Sequence, residues 1–284
     1  MDFDKLWDYA KPAESEARFR EALAALEGPR RLELLTQIAR AQGLQRRFQE
    51  AHATLDGVER ALGGAGAAAR IRFLLERGRV FNSSKEIERA RPLFLEAFEE
   101  AVAAGEEFHA VDAAHMVAIV ERGAGALEWN LKALAASEAA TDERARGWRG
   151  SLYNNVGWTW HGAKEYEKAL EMFEKGLAWR LGKGPQREVR TARWCVARAH
   201  RSLGRTEQAL RTQLELRDEI DAAGEPADGF VFEEIAECLS LLGRNEEARR
   251  NFRRAHDLLS QDPWFVANEP VRLERLRIQS RSRS

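Results

Sequence analysis

Alanine recurs in this chain at intervals close to forty residues, each time inside a stretch rich in helix formers. Ala51, Ala90, Ala126, Ala169, Ala209 and Ala248 hold one aligned place in "FQEAHATLDGVERAL", "IERARPLFLEAFEEA", "GALEWNLKALAAS", "YEKALEMFEKGLAW", "TEQALRTQLELRDEI" and "NEEARRNFRRAHDLL". The intervals are 39, 36, 43, 40 and 39 residues. A period in the range of roughly 20–50 residues is a strong constraint, because one such unit cannot bury its own apolar face and must stack on its neighbours.

About twelve residues before each of these alanines lies another helical stretch carrying Gly or Ala, so the unit is a pair of helices. In "SLYNNVGWTWHGAKEYEKALEMFEKGL", Tyr153, Val156, Gly157 and Trp160 share one face of the first helix. Ala169, Phe173 and Gly176 share one face of the second. Spacings of three and four make these stripes. Antiparallel helices approach closely only where small residues oppose larger ones, which then fill the space left. No stretch alternates with the period of a strand. The turns "SLGRTEQA" and "LLGRNEEA" place Gly204 and Gly243 as C-terminal caps and Thr206 and Asn245 as N-caps of the next helices.

This arrangement of small and aromatic residues resembles the tetratricopeptide repeat. Residues 150–183 match it best, then 229–262 and 71–104; 32–65, 107–140 and 190–223 are degenerate, with Gln42, His200 and Arg193 at aromatic places. The mean interval exceeds the usual 34 residues, as in lengthened bacterial members. The resemblance implies an all-α, right-handed superhelical solenoid of six helix-turn-helix hairpins over 32–262, within a single domain over 1–284. Residues 1–28 are expected to cap its N-terminal end, with Gly28 closing the capping helix. Residues 263–284 are expected to cap the other end, with Trp264, Leu273 and Leu276 facing inward and "SRSRS" frayed.

Charge excludes several functions. Lys+Arg 45 against Asp+Glu 46 gives a net charge of -1 over 284 residues, so neither a polybasic nucleic-acid arm nor an acidic tail dominates. The arginines near the C-terminus, Arg272, Arg275, Arg277, Arg281 and Arg283, read as a solvated cap. The N-terminus has no basic, apolar leader, and no apolar run reaches the roughly 20 residues of a bilayer span, so a cytoplasmic location is expected. Cys195 and Cys238 lie in separate helices and read as buried core residues.

No GxGxxG, GxxxxGK[ST], HExxH or GxSxG pattern occurs. "GGAGAAA" at 63–69 follows a helix and has no lysine behind it, so it reads as a loop. His109 and His115 are six apart, which does not put them on one helix face as metal ligands. The chain is therefore expected to be no enzyme and to hold neither cofactor nor metal.

The resemblance also assigns a concave groove to certain positions of each first helix. There it places Arg72, Arg79 and His115, then Asn154, Trp158 and Trp194, then Arg198, Arg201 and Glu237. Guanidinium groups recognise carboxylates, indoles anchor desolvated contacts, and an Asn amide can pair with a peptide backbone. With Glu233 and Glu237 beyond the arginines, the groove is expected to be polarised along its length. No lysine falls in the groove, which argues against the carboxylate clamp of chaperone-binding members. The implied function is a scaffold or adaptor that binds a protein or peptide partner segment. The alternative is a peptide- or signal-sensing regulator that changes curvature on binding, although the effector domain such regulators carry finds no room here. The partner's identity and the oligomeric state stay open.

Overall fold

The structure, a computed structural model, describes residues 3–281. Among them there is no strand; after a 3-10 turn at Phe3–Leu6 the chain forms sixteen α-helices. Helix α1 (Pro12–Leu23) precedes three hairpins: α2 (Gly28–Leu44) with α3 (Phe48–Arg60), α4 (Ala67–Ser83) with α5 (Ile87–Ala104), and α6 (Glu107–Val120) with α7 (Gly123–Ala139). After the short α8 (Glu143–Gly147) come α9 (Arg149–Gly162) with α10 (Tyr166–Arg180), α11 (Gln186–Ser202) with α12 (Thr206–Ala222), and α13 (Gly229–Leu241) with α14 (Asn245–Leu259). Helices α15 (Pro263–Asn268) and α16 (Pro270–Gln279) follow. The chain divides after Leu152 into two compact units.

All six periodic alanines except Ala126 are buried, and they bring the two helices of a hairpin together. The hairpin interior uses glycine against phenylalanine. A Cβ built on Gly78 would lie 2.5 Å from the Phe94 ring, and one on Gly157 would strike Phe173 in the same way. Only a residue without a side chain lets these aromatic rings press against the facing backbone. In the first unit the core gathers Leu55, Ile71, Leu75 and Phe94; in the second it gathers Leu216, Ile235, Phe252 and Leu276.

Where the repeat pattern is degenerate, polar residues find mates on the second helix of their own hairpin. Thr54 donates to the Gln42 side chain at 2.9 Å, Gln208 lies 3.0 Å from His200, and Arg193 reaches Glu215 at 3.1 Å and also pairs with Glu219. Two second-helix positions equivalent to Phe94 and Phe173 carry amides, Asn130 and Gln213. Gln213 is fully enclosed, and neither of its amide atoms has a hydrogen-bond partner.

Five of the six hairpin turns share one geometry; the α6–α7 turn, where Glu121 and Arg122 are extended, does not. A residue in the left-handed region is followed by one whose N–H bonds the carbonyl five residues back: Arg47 to Gln42 at 3.0 Å, Glu165 to Trp160 at 3.0 Å, Arg205 to His200 at 2.9 Å, Arg244 to Leu239 at 2.9 Å. Gly204 and Gly243 fill the left-handed place as the sequence predicts, at φ +77° and +72°. Arg46, Lys85 and Lys164 fill it elsewhere, at φ +61°, +69° and +64°. This tight turn leaves no spare residue, so Thr206 and Asn245 are the first helical residues rather than N-caps; Arg205 and Arg244 precede them and cap nothing with their side chains.

Three boundary expectations need correction. Gly28, at φ +55°, opens α2 instead of closing the N-terminal helix, which already stops at Leu23. "GGAGAAA" is loop only as far as Gly66, because Ala67 to Ala69 begin α4. Trp264 is 62% exposed, and Phe265 is the residue turned fully inward. Asp262 accepts the N–H groups of both residues, and this cap fixes α15 one residue out of the expected register. Leu276 is buried with Leu273 packed beside it, as expected. Arg281 is exposed; residues 282–284, including Arg283, lie outside the described residues.

Candidate functional site

In the first unit α2 packs on α4 and α4 on α6, so the first helices of successive hairpins form one face. Charge runs across it from repeat to repeat. Arg40 on α2 meets Glu76 on α4 at 3.5 Å; Arg79 holds Glu76 at 2.6 Å and also pairs with Asp112 on α6. Burial opposes the charge of Arg79, yet Asp112 and Glu76 outweigh it and hold its pKa above the ordinary value. Burial likewise opposes the Asp112 carboxylate, and Arg79 and Arg40 overcome it, keeping the carboxyl below its ordinary range. Arg72 lies 3.6 Å from Glu33, with a buried Nε that has no hydrogen-bond partner; burial depresses its pKa. His115 stands 5.1 Å from the Trp148 ring, and burial lowers its pKa.

In the second unit the predicted aromatic residues meet. Trp158 lies 5.1 Å from Phe173, 5.1 Å from His161 and 6.0 Å from Trp194, and both indoles are half-buried. The Trp194 ring N–H donates to the Phe230 carbonyl at 3.3 Å. His161 approaches the Ser202 hydroxyl at 2.9 Å; burial first, then Arg198 and Arg201, push its pKa down to about 4. The Asn154 side-chain oxygen accepts from the Cys195 thiol at 3.4 Å. Arg201 grips Glu234 with both arms at 2.7 and 2.9 Å, and Arg198 touches the same carboxylate at 3.2 Å while donating to Ser202 at 2.8 Å. Glu233, only 2% exposed in its side chain, takes Arg272 at 2.6 Å and Arg275 at 2.8 Å; Glu237 pairs with Arg275 and lies 3.9 Å from Arg201.

The expected polarisation of the groove along its length therefore needs revision. The groove arginines each face a carboxylate of the neighbouring repeat, and Glu237 is itself answered by α16. A close ion pair in a partly desolvated face forms because two unpaired charges there would cost far more. Glu76, Asp112 and Glu234 escaped the sequence reading. The signal that exposes them is opposite charge on first helices at nearly one repeat's separation: 36 residues for Arg40–Glu76, 33 for Arg79–Asp112 and Arg201–Glu234.

The remaining chemistry is sparse. Both cysteines are free and buried, as expected, and burial pushes their thiols up to about 12, far from a nucleophile at neutral pH. Among the described residues no group of His, Cys, Asp or Glu is arranged to hold a metal ion, and no helix is long and apolar enough to cross a membrane. An open cleft of about 680 Å³ on the first unit is lined by Arg70, Arg77 and Arg89. Its arginines are neutralised too, Arg77 by Asp56 at 2.5 Å and Arg89 by Glu86 at 2.7 Å.

No protein-family model and no curated protein matches the sequence. Solved structures do match. A signal transduction ATPase with a tetratricopeptide repeat sensor, from Pyrococcus horikoshii, is 16% identical over 93% of this chain, with a TM-score of 0.74; the match spans only 41% of that protein. The apo form of RapI is 13% identical over 96% of this chain and 83% of its own, at 0.73. The apo quorum sensor NprR from B. thuringiensis is 14% identical over 99% and 82%, at 0.65. With the helical hairpins and their Gly–Phe interiors, these likenesses establish that the fold of this chain is the tetratricopeptide-repeat fold.

Proposed function

We propose that this chain is a non-catalytic interaction module, a scaffold or adaptor working in the cytoplasm, whose first-helix faces receive a segment of a protein or peptide partner. The observation that carries this reading is the half-buried pair Trp158 and Trp194, flanked by the Arg198/Arg201–Glu234 cluster. Rigid indoles beside oriented guanidinium groups are what interaction hot spots are made of. The ion pairs fix the guanidinium planes, so less order is lost when a partner carboxylate or carbonyl docks. The second reading, a peptide-responsive regulator, is supported by likeness to NprR, which has also been solved with its cognate peptide NprX.

The test is recovery of the partner from the native host by the wild-type chain and by a Trp158→Ala, Arg198→Gln double variant. Glutamine leaves Glu234 held by both arms of Arg201, so the fold should survive, which circular dichroism will check. Loss of the partner supports the reading. A folded double variant that retains the partner at wild-type yield removes these residues from the binding surface.

A further inference from the structure

The first-helix face of the first unit is already occupied by the chain itself. The segment from Phe3 to Tyr9 lies along α2 and touches α8 through Asp4: the Arg30 guanidinium lies 4.2 Å over the Phe3 ring, and Asp4 pairs with Arg144 at 2.7 Å. Trp7 donates its ring N–H to the buried Gln37 amide at 3.0 Å, and Tyr9 stacks flat on Trp7 at 4.6 Å, with Arg40 5.3 Å from its ring. Only Phe3 is deeply buried; Tyr9 is 58% exposed and Trp7 half-buried. The backbone is tied to α1 at few points, chiefly Arg18 to the Leu6 carbonyl at 2.9 Å and Ser15 to Asp8.

We infer that this face is a docking site for a short segment that combines aromatic residues with aspartates, and that residues 3–9 occupy it in cis and exclude a partner segment of the same chemistry. The inference rests on the interaction reading above and deepens it. The face supplies guanidinium groups at Arg30, Arg40 and Arg144 and the Gln37 amide; the segment supplies aromatic faces, a carboxylate and an indole N–H. Cation–π and charge-assisted contacts of this kind are specific but individually modest. A tethered copy of the ligand therefore competes through its high effective concentration rather than through great intrinsic affinity.

The test uses full-length protein and a fluorescent peptide of residues 3–11, FDKLWDYAK. The Asp4→Arg, Trp7→Ala variant opens the face by setting a second guanidinium against Arg144 and removing the indole. By fluorescence anisotropy it should bind the peptide at least tenfold more tightly than wild type. The same peptide with lysine in place of both aspartates should bind at least tenfold more weakly. Equal affinity of variant and wild type, or no peptide binding to a folded variant, overturns the inference. Should the variant not fold, hydrogen exchange on the wild-type chain decides. Amides of residues 3–9 should open without α1 and α2; opening only together with those helices refutes the device. A partner that binds wild type and opened variant equally would sink this inference and leave the interaction reading standing. Peptide binding without any partner in the host does the reverse.

Discussion

Gly78 and Gly57 are both interior helical glycines, and replacing each with alanine sets helix propensity against packing in opposite ways. Propensity alone favours alanine by about 1 kcal/mol at either place. At Gly57, in α3, an added Cβ meets no atom within 4 Å, so that gain should appear nearly whole. At Gly78 the Cβ would lie 2.5, 2.8 and 2.9 Å from three atoms of the Phe94 ring. Ordinary contact needs most of an ångström more, and Phe94 is fully enclosed. Overpacking of an enclosed site costs up to about 3 kcal/mol, so the net effect at Gly78 should be a loss of about 2 kcal/mol. That corresponds to a fall of roughly 4–8 °C in the melting temperature of a unit this size. Denaturant unfolding followed by circular dichroism would give both values. In a double-mutant cycle, Phe94→Leu should recover at least ~1 kcal/mol of the Gly78→Ala loss, because the two residues share one contact. If Gly78→Ala stabilises as much as Gly57→Ala, the Gly–Phe contact does not set the hairpin spacing.

Gln213→Met keeps the side chain's length and removes two enclosed amide atoms without partners, so it should stabilise the second unit by about 1–2 kcal/mol; a destabilised variant would mean the amide is satisfied in solution. Lys164→Gly relieves a left-handed residue without touching the core, and its unfolding free energy should rise by about 0.5–1 kcal/mol, with no gain arguing that the turn relaxes. The pKa values of His52, His109, His115, His161 and His200 are all lowered in the folded state, chiefly by burial. The unfolded chain then binds more protons between the ordinary histidine value and the depressed folded ones, reaching about 4 for His161. Stability should fall as pH drops from 7 to 5, by about 2 kcal/mol in total after discounting for partial exposure. A flat profile over that interval would contradict the burial assigned to these rings.

The hairpins were legible in the sequence because their period is written in residues that must be small, such as Gly157, and in the rings that oppose them, such as Phe173. Register at an isolated end was not. Nothing in "DPWFVAN" separates Trp264 from Phe265 until Asp262 caps the short helix and turns one of them in. The repeat period puts these residues on first helices, but it does not show the state of their charges. A sequence shows Arg201 and Glu234 as 33 residues apart, and only the stacking of α11 on α13 makes them neighbours. The N-terminal segment was less legible still. Its acidic, aromatic character reads equally as a solvated lead into α1, and its seat on α2 and α8 comes from contacts distant in the chain.

Helix α16 has a consequence for how the protein is turned over. Two of its arginines, Arg272 and Arg275, reach back to Glu233, a carboxylate in α13 that is 2% exposed. A protease cutting between α15 and α16 would remove more than a cover. It would strip that carboxylate of both arginines and uncover the apolar surface that Leu276 seals on the last hairpin. The last hairpin would then loosen and offer its own helices to the next cleavage. An intact tail thus protects the last hairpin, and clipping there should lower the second unit's resistance to further proteolysis.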